Sequence, residues 1–211
     1  MSTFAKRERL LLADLLETAG PEAPTLCEGW LTRDLAAHVV VRERRPDAAG
    51  GLLIKQLASR LDRAMEEFAA KPYEELLQLI RTGPPRFSPF QLKQLDEASN
   101  TIEFYVHTED VRRARPEWTP RALDPVFQDA LWSRLERTAR LMGRGAPTGL
   151  VLRRPDGRTV VAKRGTPVVT AVGEPSELLL LLYGRQSVAE VELDGDKEAI
   201  ERLQGGKQLG I

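Results

Sequence analysis

Two stretches of the sequence decide the fold: LCEGWLTRDLAAH at residues 26–38 and NTIEFYVHTEDVRRA at residues 100–114. In both stretches apolar residues recur every three or four positions, which is typical of an amphipathic helix with one buried face. The two histidines of the chain, His38 and His107, each fall inside one of these stretches. The pattern therefore predicts two helices that each carry a histidine toward a core.

The same helical periodicity extends from about Thr3 to Met142. Glycine and proline at 20–21 predict the end of the first helix, and Thr32 is the predicted N-cap of the second. Four or more such helices with short connections favour an antiparallel bundle. The first predicted helix ends before residue 20, and the second runs from its Thr32 cap to about Arg45. Further helices are predicted at about 52–69, after Pro72, at about 97–113, and at 125–142 with Asp124 as the cap.

The periodicity changes after the glycine- and proline-containing segment 144–149. Strand-like runs at 150–152 and 159–161 flank a Pro-Asp-Gly turn, which predicts a hairpin. Further runs predict a strand at 167–172, a helix at 174–183, an alternating strand at 188–193 and a last helix at 196–203. We therefore predict an α+β fold with a helical domain at 1–146 and a small α+β domain at 147–211.

Composition excludes several function classes. The 31 basic and 31 acidic side chains cancel to a formal charge of zero, so no global field attracts nucleic acid or an anionic membrane. A single cysteine excludes an intramolecular disulfide and fits a reducing compartment, so we expect a cytoplasmic protein. The N-terminus is too polar for a signal peptide, and the leucine run at 178–182 is far shorter than the roughly 20 residues of a spanning helix.

Three residues have the spacing of a metal site. Glu103 and His107 are four residues apart and share one helix face, while His38 follows Leu31 and Leu35 at inward-facing spacings. A carboxylate at the edge of a core is costly unless a charge compensates it, and a divalent cation is one such charge. Bundle cores commonly build metal sites from facing helices. The alternatives are a hydrogen-bonded core histidine at position 38 and a simple i,i+4 pair on the other helix.

Two aspartates lie close to these histidines in the sequence. Asp34 comes four residues before His38, and Asp110 comes three residues after His107. Either carboxylate could accept a hydrogen bond that orients an imidazole, or could be an exposed charge.

The two stretches together resemble the mycothiol-dependent maleylpyruvate isomerase family of DinB-like metalloproteins. The segments 178–185 and 188–196 also resemble the small α+β domain of those proteins. The resemblance implies a DinB-like four-helix bundle in which His38, Glu103 and His107 hold a divalent metal, usually zinc. It also implies mycothiol as the thiol cofactor, and a C-terminal arginine, for which Arg185 is the candidate, that binds a substrate carboxylate.

Three protein ligands leave a tetrahedral zinc one open position, which is expected of catalytic sites. Because zinc deprotonates a coordinated thiol, we expect an isomerase or transferase that activates a small thiol for attack on an electrophilic small molecule. Trp30 could line the cofactor pocket or pack in the core, and we expect Cys27 to be a packing residue. We expect a monomer or homodimer with small-molecule and thiol partners.

Two other functional classes remain open from the sequence. The same three ligands would serve a non-catalytic metal-binding or thiol-binding regulatory module. A small-molecule carrier that uses the C-terminal domain would have an apolar cavity there and would be indifferent to metal removal.

Overall fold

The computed structural model of the chain describes residues 3–45, 58–85, 93–206 and 209. The chain forms two compact units, Met1–Thr119 and Pro120–Ile211. The first unit is helical and the second combines helices with a four-stranded sheet, which confirms the predicted α+β fold. Among the described residues, no helix combines the length and the apolar character that crossing a membrane requires.

The described part of the first unit contains α1 (Phe4–Ala19), α2 (Thr32–Arg44), α3 (Ala58–Ala69), α4 (Tyr73–Thr82) and α5 (Lys93–Arg112). Helix α1 packs on α4 and α5, while α2 packs on α3 and α4. Their apolar faces meet in one core, which includes Leu12, Leu35, Leu76 and Phe104. The count of four helices in the bundle stays a prediction, and the predicted helical residues 52–57 lie outside the described residues.

Helix α1 has the predicted end. Its first turn is capped by the Thr3 hydroxyl, which accepts a hydrogen bond from the Lys6 amide at 3.2 Å. At the other end Gly20 adopts a φ of 76°, and its N–H donates to the Leu16 carbonyl at 3.0 Å. A positive φ is accessible to glycine because it has no Cβ, so Gly20 ends the helix.

The prediction that Thr32 caps α2 is wrong, because Thr32 is the first helical residue and Leu31 is the cap. The Asp34 carboxylate accepts from the Leu31 amide at 2.9 Å, so Asp34 supplies the bond that caps the helix. The Thr32 hydroxyl instead accepts from the Ala23 amide at 3.2 Å and donates to the Gly20 carbonyl. Thr32 therefore fastens the segment before α2 to the start of the helix.

The second unit begins with α6 (Pro125–Met142), which the Asp124 carboxylate caps as predicted. The sheet has the order β2-β1-β3-β4, with β1 antiparallel to β2, parallel to β3, and β3 antiparallel to β4. Helix α6 packs on β2 and on the helix after β3. The bounds are β1 (Gly149–Arg153), β2 (Thr159–Lys163), β3 (Val168–Val172), α7 (Pro175–Leu182), β4 (Glu192–Gly195) and α8 (Lys197–Gly205).

The hairpin around Pro155-Asp156-Gly157 is confirmed, but the predicted strand at 188–193 is mostly wrong. The amides of Val188 and Ala189 both donate to the Arg185 carbonyl, at 3.1 and 3.0 Å, and form a turn. These local bonds use the backbone groups that a strand would offer to its neighbour, so pairing begins only at Glu192.

The predicted boundary between residues 146 and 147 is the point where the sequence periodicity changes. That the two domains divide there stays a prediction. The compact units divide between Thr119 and Pro120, so that α6 groups with the sheet. Gln128 of α6 explains part of this grouping, since its side chain donates to the Ser176 hydroxyl at 3.1 Å and accepts from the Ser176 amide at 3.0 Å.

Candidate metal centre

Helices α2 and α5 bring three candidate ligands to one point. The Nε2 atom of His38 lies 3.2 Å from Glu103 Oε1, and the Nε2 atom of His107 lies 3.2 Å from the same oxygen. One ligand atom from each residue lies within 4.8 Å of the other two. The three side chains therefore converge, as their helical spacing predicted, and their binding of a metal stays a prediction.

The donor atoms of the three side chains suit a metal ion. Both histidines are buried, and their rings meet edge to face with centroids 5.2 Å apart. Two imidazole nitrogens and one carboxylate oxygen are a donor set that zinc accepts, and that also suits iron or nickel. The convergence of both Nε2 atoms on one carboxylate oxygen fits a shared positive ion.

Asp110 is the residue that orients His107. Its Oδ2 lies 2.9 Å from His107 Nδ1, and the carboxylate is fully buried. When Nδ1–H donates to this carboxylate, Nε2 is the nitrogen left to bind a metal. Of the two aspartates considered from the sequence, Asp110 has the orienting position, whereas Asp34 caps α2.

Arg42 is a site residue that the sequence analysis missed. Its Nε lies 3.3 Å from Glu103 Oε1, and its Nη1 donates to the Asn100 side-chain oxygen. Arg42 is four residues after His38 and therefore lies on the same face of α2. That spacing was the available signal, but the Arg-rich composition of the chain obscured it.

The surroundings set the charge of each group. Burial alone would raise the pKa of Glu103, but hydrogen bonds with His107 and His38 and the charge of Arg42 hold it well below its usual value. Burial would lower the pKa of His107, but its bond to Asp110, with further bonds to Cys27 and Glu103, raises it well above the usual value. Burial dominates at His38 and lowers its pKa. Near neutral pH these directions favour an ionised Glu103, a positively charged His107 ring with a proton on each nitrogen, and a neutral His38.

The segment 25–30 touches both histidines. The Trp30 ring lies 5.1 Å from the His38 ring, centroid to centroid. Cys27 Sγ lies 3.2 Å from Asp110 Oδ2 and 4.0 Å from His107 Nδ1. Cys27 packs against the core, as expected, and also makes a polar contact that sequence reasoning missed. A cofactor-binding role for Trp30 stays a prediction.

Arg185, the candidate substrate-binding arginine, belongs to the second compact unit. Its backbone N–H donates to the Leu180 carbonyl at 2.9 Å, and its guanidinium donates to the Tyr183 carbonyl. These bonds place the side chain just beyond the end of α7. Its predicted role toward a substrate stays a prediction.

One cavity of the first unit has a volume of about 330 Å³. It lies between α1, the end of α5 and the segment after α5, and its lining includes Leu15, Val111, Arg115 and Trp118. None of the three candidate metal ligands lines this cavity, so it gives no support to either the enzyme or the regulatory hypothesis.

Comparison with known proteins gives matches only at the level of structure. No family model matches the sequence, and no curated protein matches it. The crystal structure of a mycothiol-dependent maleylpyruvate isomerase with a histidine-to-alanine mutation matches with a TM-score of 0.58 and 16% identity. This chain has the fold of that isomerase. A second crystal structure of a mycothiol-dependent maleylpyruvate isomerase matches with a TM-score of 0.50 and 18% identity.

Both matches cover 92% of this chain and 96% of the solved chain. The resemblance inferred from residues 26–38 and 100–114 is thereby confirmed for the fold. The likeness extends over nearly all of both chains, so it includes the helical part and the sheet-containing part alike.

Proposed function

We propose that this protein is a divalent-metal-dependent enzyme of the mycothiol-dependent isomerase or transferase type. The observation that carries the proposal is the meeting of His38 Nε2, His107 Nε2 and Glu103 Oε1 within 4.8 Å. The fold shared with a mycothiol-dependent maleylpyruvate isomerase supports the same chemistry.

The metal would be held by His38, Glu103 and His107, with zinc as the first candidate. A bound zinc ion supplies the Lewis acidity that keeps a coordinated thiol as a nucleophilic thiolate at neutral pH. Three protein ligands leave room for one exchangeable ligand. We propose that this ligand is a low-molecular-weight thiol, with mycothiol as the expected one.

The chain's own residues prepare the site. Asp110 keeps a proton on His107 Nδ1, so that Nε2 faces the ligand position. Arg42 balances the charge of Glu103 from 3.3 Å. The Trp30 ring offers an apolar surface beside His38 for the group attached to the thiol sulfur.

The reaction would begin with addition of the thiolate to an electrophilic carbon of a double bond in a small-molecule substrate, so that the π bond breaks as the carbon–sulfur bond forms. An isomerase would then expel the thiolate and re-form the double bond, whereas a transferase would leave the thiol attached while the neighbouring carbon takes up a proton. We propose that Arg185 binds a substrate carboxylate through a bidentate pair of hydrogen bonds. We further propose a cytoplasmic monomer or homodimer that does not bind nucleic acid.

Metal content and thiol turnover of the full chain test the proposal. We expect the purified protein to hold about one zinc per chain, and His38→Ala, Glu103→Gln and His107→Ala to lose it. Glu28→Gln is the matched control, because Glu28 is an exposed carboxylate in the segment before α2. Thiol-dependent conversion of electrophilic substrates, measured as product formed together with thiol consumed or regenerated, should stop when a chelator removes the metal.

The outcomes separate the hypotheses. Equal activity after His107→Ala would contradict the proposed enzyme. Metal binding without thiol turnover would instead favour the regulatory module, and small-molecule binding that ignores the chelator would favour the carrier.

A further inference from the structure

We propose that Cys27 is a positioning residue for the metal centre, because its thiol donates to the same Asp110 oxygen that accepts from His107 Nδ1. The inference rests on the proposed function and adds a residue to its machinery. Cys27 Sγ lies 3.2 Å from Asp110 Oδ2, and His107 Nδ1 lies 2.9 Å from that oxygen. Asp110 Oδ2 thus joins a residue of the loop before α2 to a ligand on α5.

The direction of the hydrogen bond defines what Cys27 does. A carboxylate can only accept, so the bond to Asp110 requires the proton on the Cys27 sulfur. The thiol is therefore a donor here, and its role differs from that of a nucleophile. With donors from two directions, Asp110 Oδ2 is held between them and cannot rotate away from His107 without breaking the bond to Cys27.

The loop that carries Cys27 is fixed to Asp110 by a second bond. The Leu26 amide donates to the Asp110 carbonyl at 3.1 Å, so adjacent loop residues contact the backbone and the side chain of the same buried aspartate. Two anchors to one residue restrict both the distance and the angle between the loop and α5.

The loop is also braced internally. The Thr25 hydroxyl accepts from the Cys27 amide at 3.2 Å and donates to the Trp30 carbonyl at 2.8 Å. The Trp30 amide donates to the Cys27 carbonyl at 3.0 Å, which closes the turn. Because Trp30 packs on His38, this braced loop contacts His38 directly, and it reaches His107 through Asp110 and through Cys27 Sγ, which lies 4.0 Å from His107 Nδ1.

The consequence is a defined orientation of His107. An imidazole whose Nδ1–H is held by a fixed carboxylate presents Nε2 in one direction, whereas a mobile carboxylate allows the ring to turn. Removing the Cys27 thiol should therefore weaken metal binding through His107 without removing a ligand.

Zinc affinity of full-length variants tests this role. We expect Cys27→Ala to raise the zinc Kd about tenfold, as is typical when a residue that supports a metal ligand is lost. Cys27→Ser, whose hydroxyl can donate to Asp110, should restore the Kd to within about threefold of the natural protein. Leu79→Ala is the control for general loosening, because Leu79 is partly buried against the same core and lies on α4.

Imidazole NMR supplies a second measurement that a purely structural role would leave unchanged. The chain has only two histidines, so long-range ¹H–¹⁵N spectra contain two ring systems. We expect Cys27→Ala to speed exchange of the His107 Nδ1 proton with water and Cys27→Ser to restore the slower exchange, with the folding of each variant checked by its backbone amide spectrum. Leu79→Ala should leave the His107 signals in place.

An unchanged Kd together with unchanged His107 signals in Cys27→Ala would overturn the positioning role, as would an equal loss of affinity in Leu79→Ala. Failure of the proposed function is distinguishable from this result. If the natural protein bound no zinc, the metal proposal would fail, while the metal-free His107 signals would still show whether Cys27 holds Asp110.

Discussion

Arg42 Nε lies 3.3 Å from Glu103 Oε1, the same carboxylate oxygen that both histidines approach. The Arg42 guanidinium and a bound metal ion would therefore both lie against Glu103 Oε1. The Arg42 side chain is 18% exposed, so solvent screens its charge only in part. The site thus contains a permanent positive charge that opposes the binding of a second one.

Removal of this charge should strengthen metal binding. We expect Arg42→Gln to lower the zinc Kd about three- to tenfold, because a repulsion of about 1 kcal/mol between the guanidinium and the cation is lost. Arg42→Lys retains the charge and should stay near the natural value. Competition with a chromophoric chelator measures both. A weaker zinc affinity in Arg42→Gln would mean instead that Arg42 mainly positions Glu103.

Asp110 should matter to the metal more than any other non-ligand carboxylate. We expect Asp110→Asn to raise the zinc Kd about ten- to a hundredfold and to lower the pKa of His107, because the bond that most favours its protonated ring is weakened. Asp34→Asn, which changes the cap of α2 but touches no ligand, is the matched control. Chelator competition and NMR titration of the two histidines measure the outcome, and equal effects in both variants would contradict this assignment.

Metal binding should release about one proton per zinc near neutral pH. The pKa of His107 is raised well above its usual value, so this ring carries a proton that the metal must displace. The pKa of His38 is lowered, so His38 is already neutral and only moves its hydrogen to Nδ1. Zinc affinity should therefore rise with pH until His107 is neutral. Calorimetry in buffers of different ionisation enthalpy counts the protons, and a count near zero would contradict the charge assignment.

The same raised pKa predicts the pH dependence of the metal-free fold. A folded-state pKa above the unfolded one means that the contribution of His107 is complete below pH 6.5 and disappears as the pH rises through the folded value. The difference in unfolding free energy between the natural protein and His107→Gln should therefore be largest in mild acid and should shrink in base. Urea denaturation across this range measures the difference.

Gly143 should be sensitive to substitution because α6 and β2 meet there. A Cβ on Gly143 would lie 2.7 Å from the Ala162 Cβ and 3.0 Å from the Ala162 carbonyl oxygen. We expect Gly143→Ala to destabilise the protein by about 1–3 kcal/mol through overpacking. Gly145→Ala is the control, since nothing lies within 4 Å of the added atom. Thermal unfolding of both variants decides whether this close contact limits the packing.

Much of the site could be predicted because helical spacing is a geometric rule. The spacing of His38, Glu103 and His107 from their neighbours in the sequence fixed the helix face on which each lies, and the structure brings their ligand atoms together. Spacing left Asp110 and Asp34 equivalent, since both lie within one turn of a histidine. The two aspartates differ because Asp34 lies at the start of α2, where it accepts from an unpaired backbone amide, whereas Asp110 is buried beneath the loop before α2.

The contacts that sequence reasoning missed depend on loops or on competing local bonds. Cys27 reaches Asp110 through a loop whose path no periodicity describes. Thr32 was predicted as a cap from its residue type, but its hydroxyl is used by Gly20 and Ala23. The alternating pattern at 188–193 resembled a strand, although the Arg185 carbonyl draws the first residues of that segment into a turn.

The division of ligands between helices has a mechanical consequence. Glu103 and His107 share α5, which packs on α1, while His38 lies on α2, which packs on α3 and α4. An ion bound by all three side chains would join α2 directly to α5. Its withdrawal should speed amide hydrogen exchange in α2 and α5 while the strands of the second unit exchange as before.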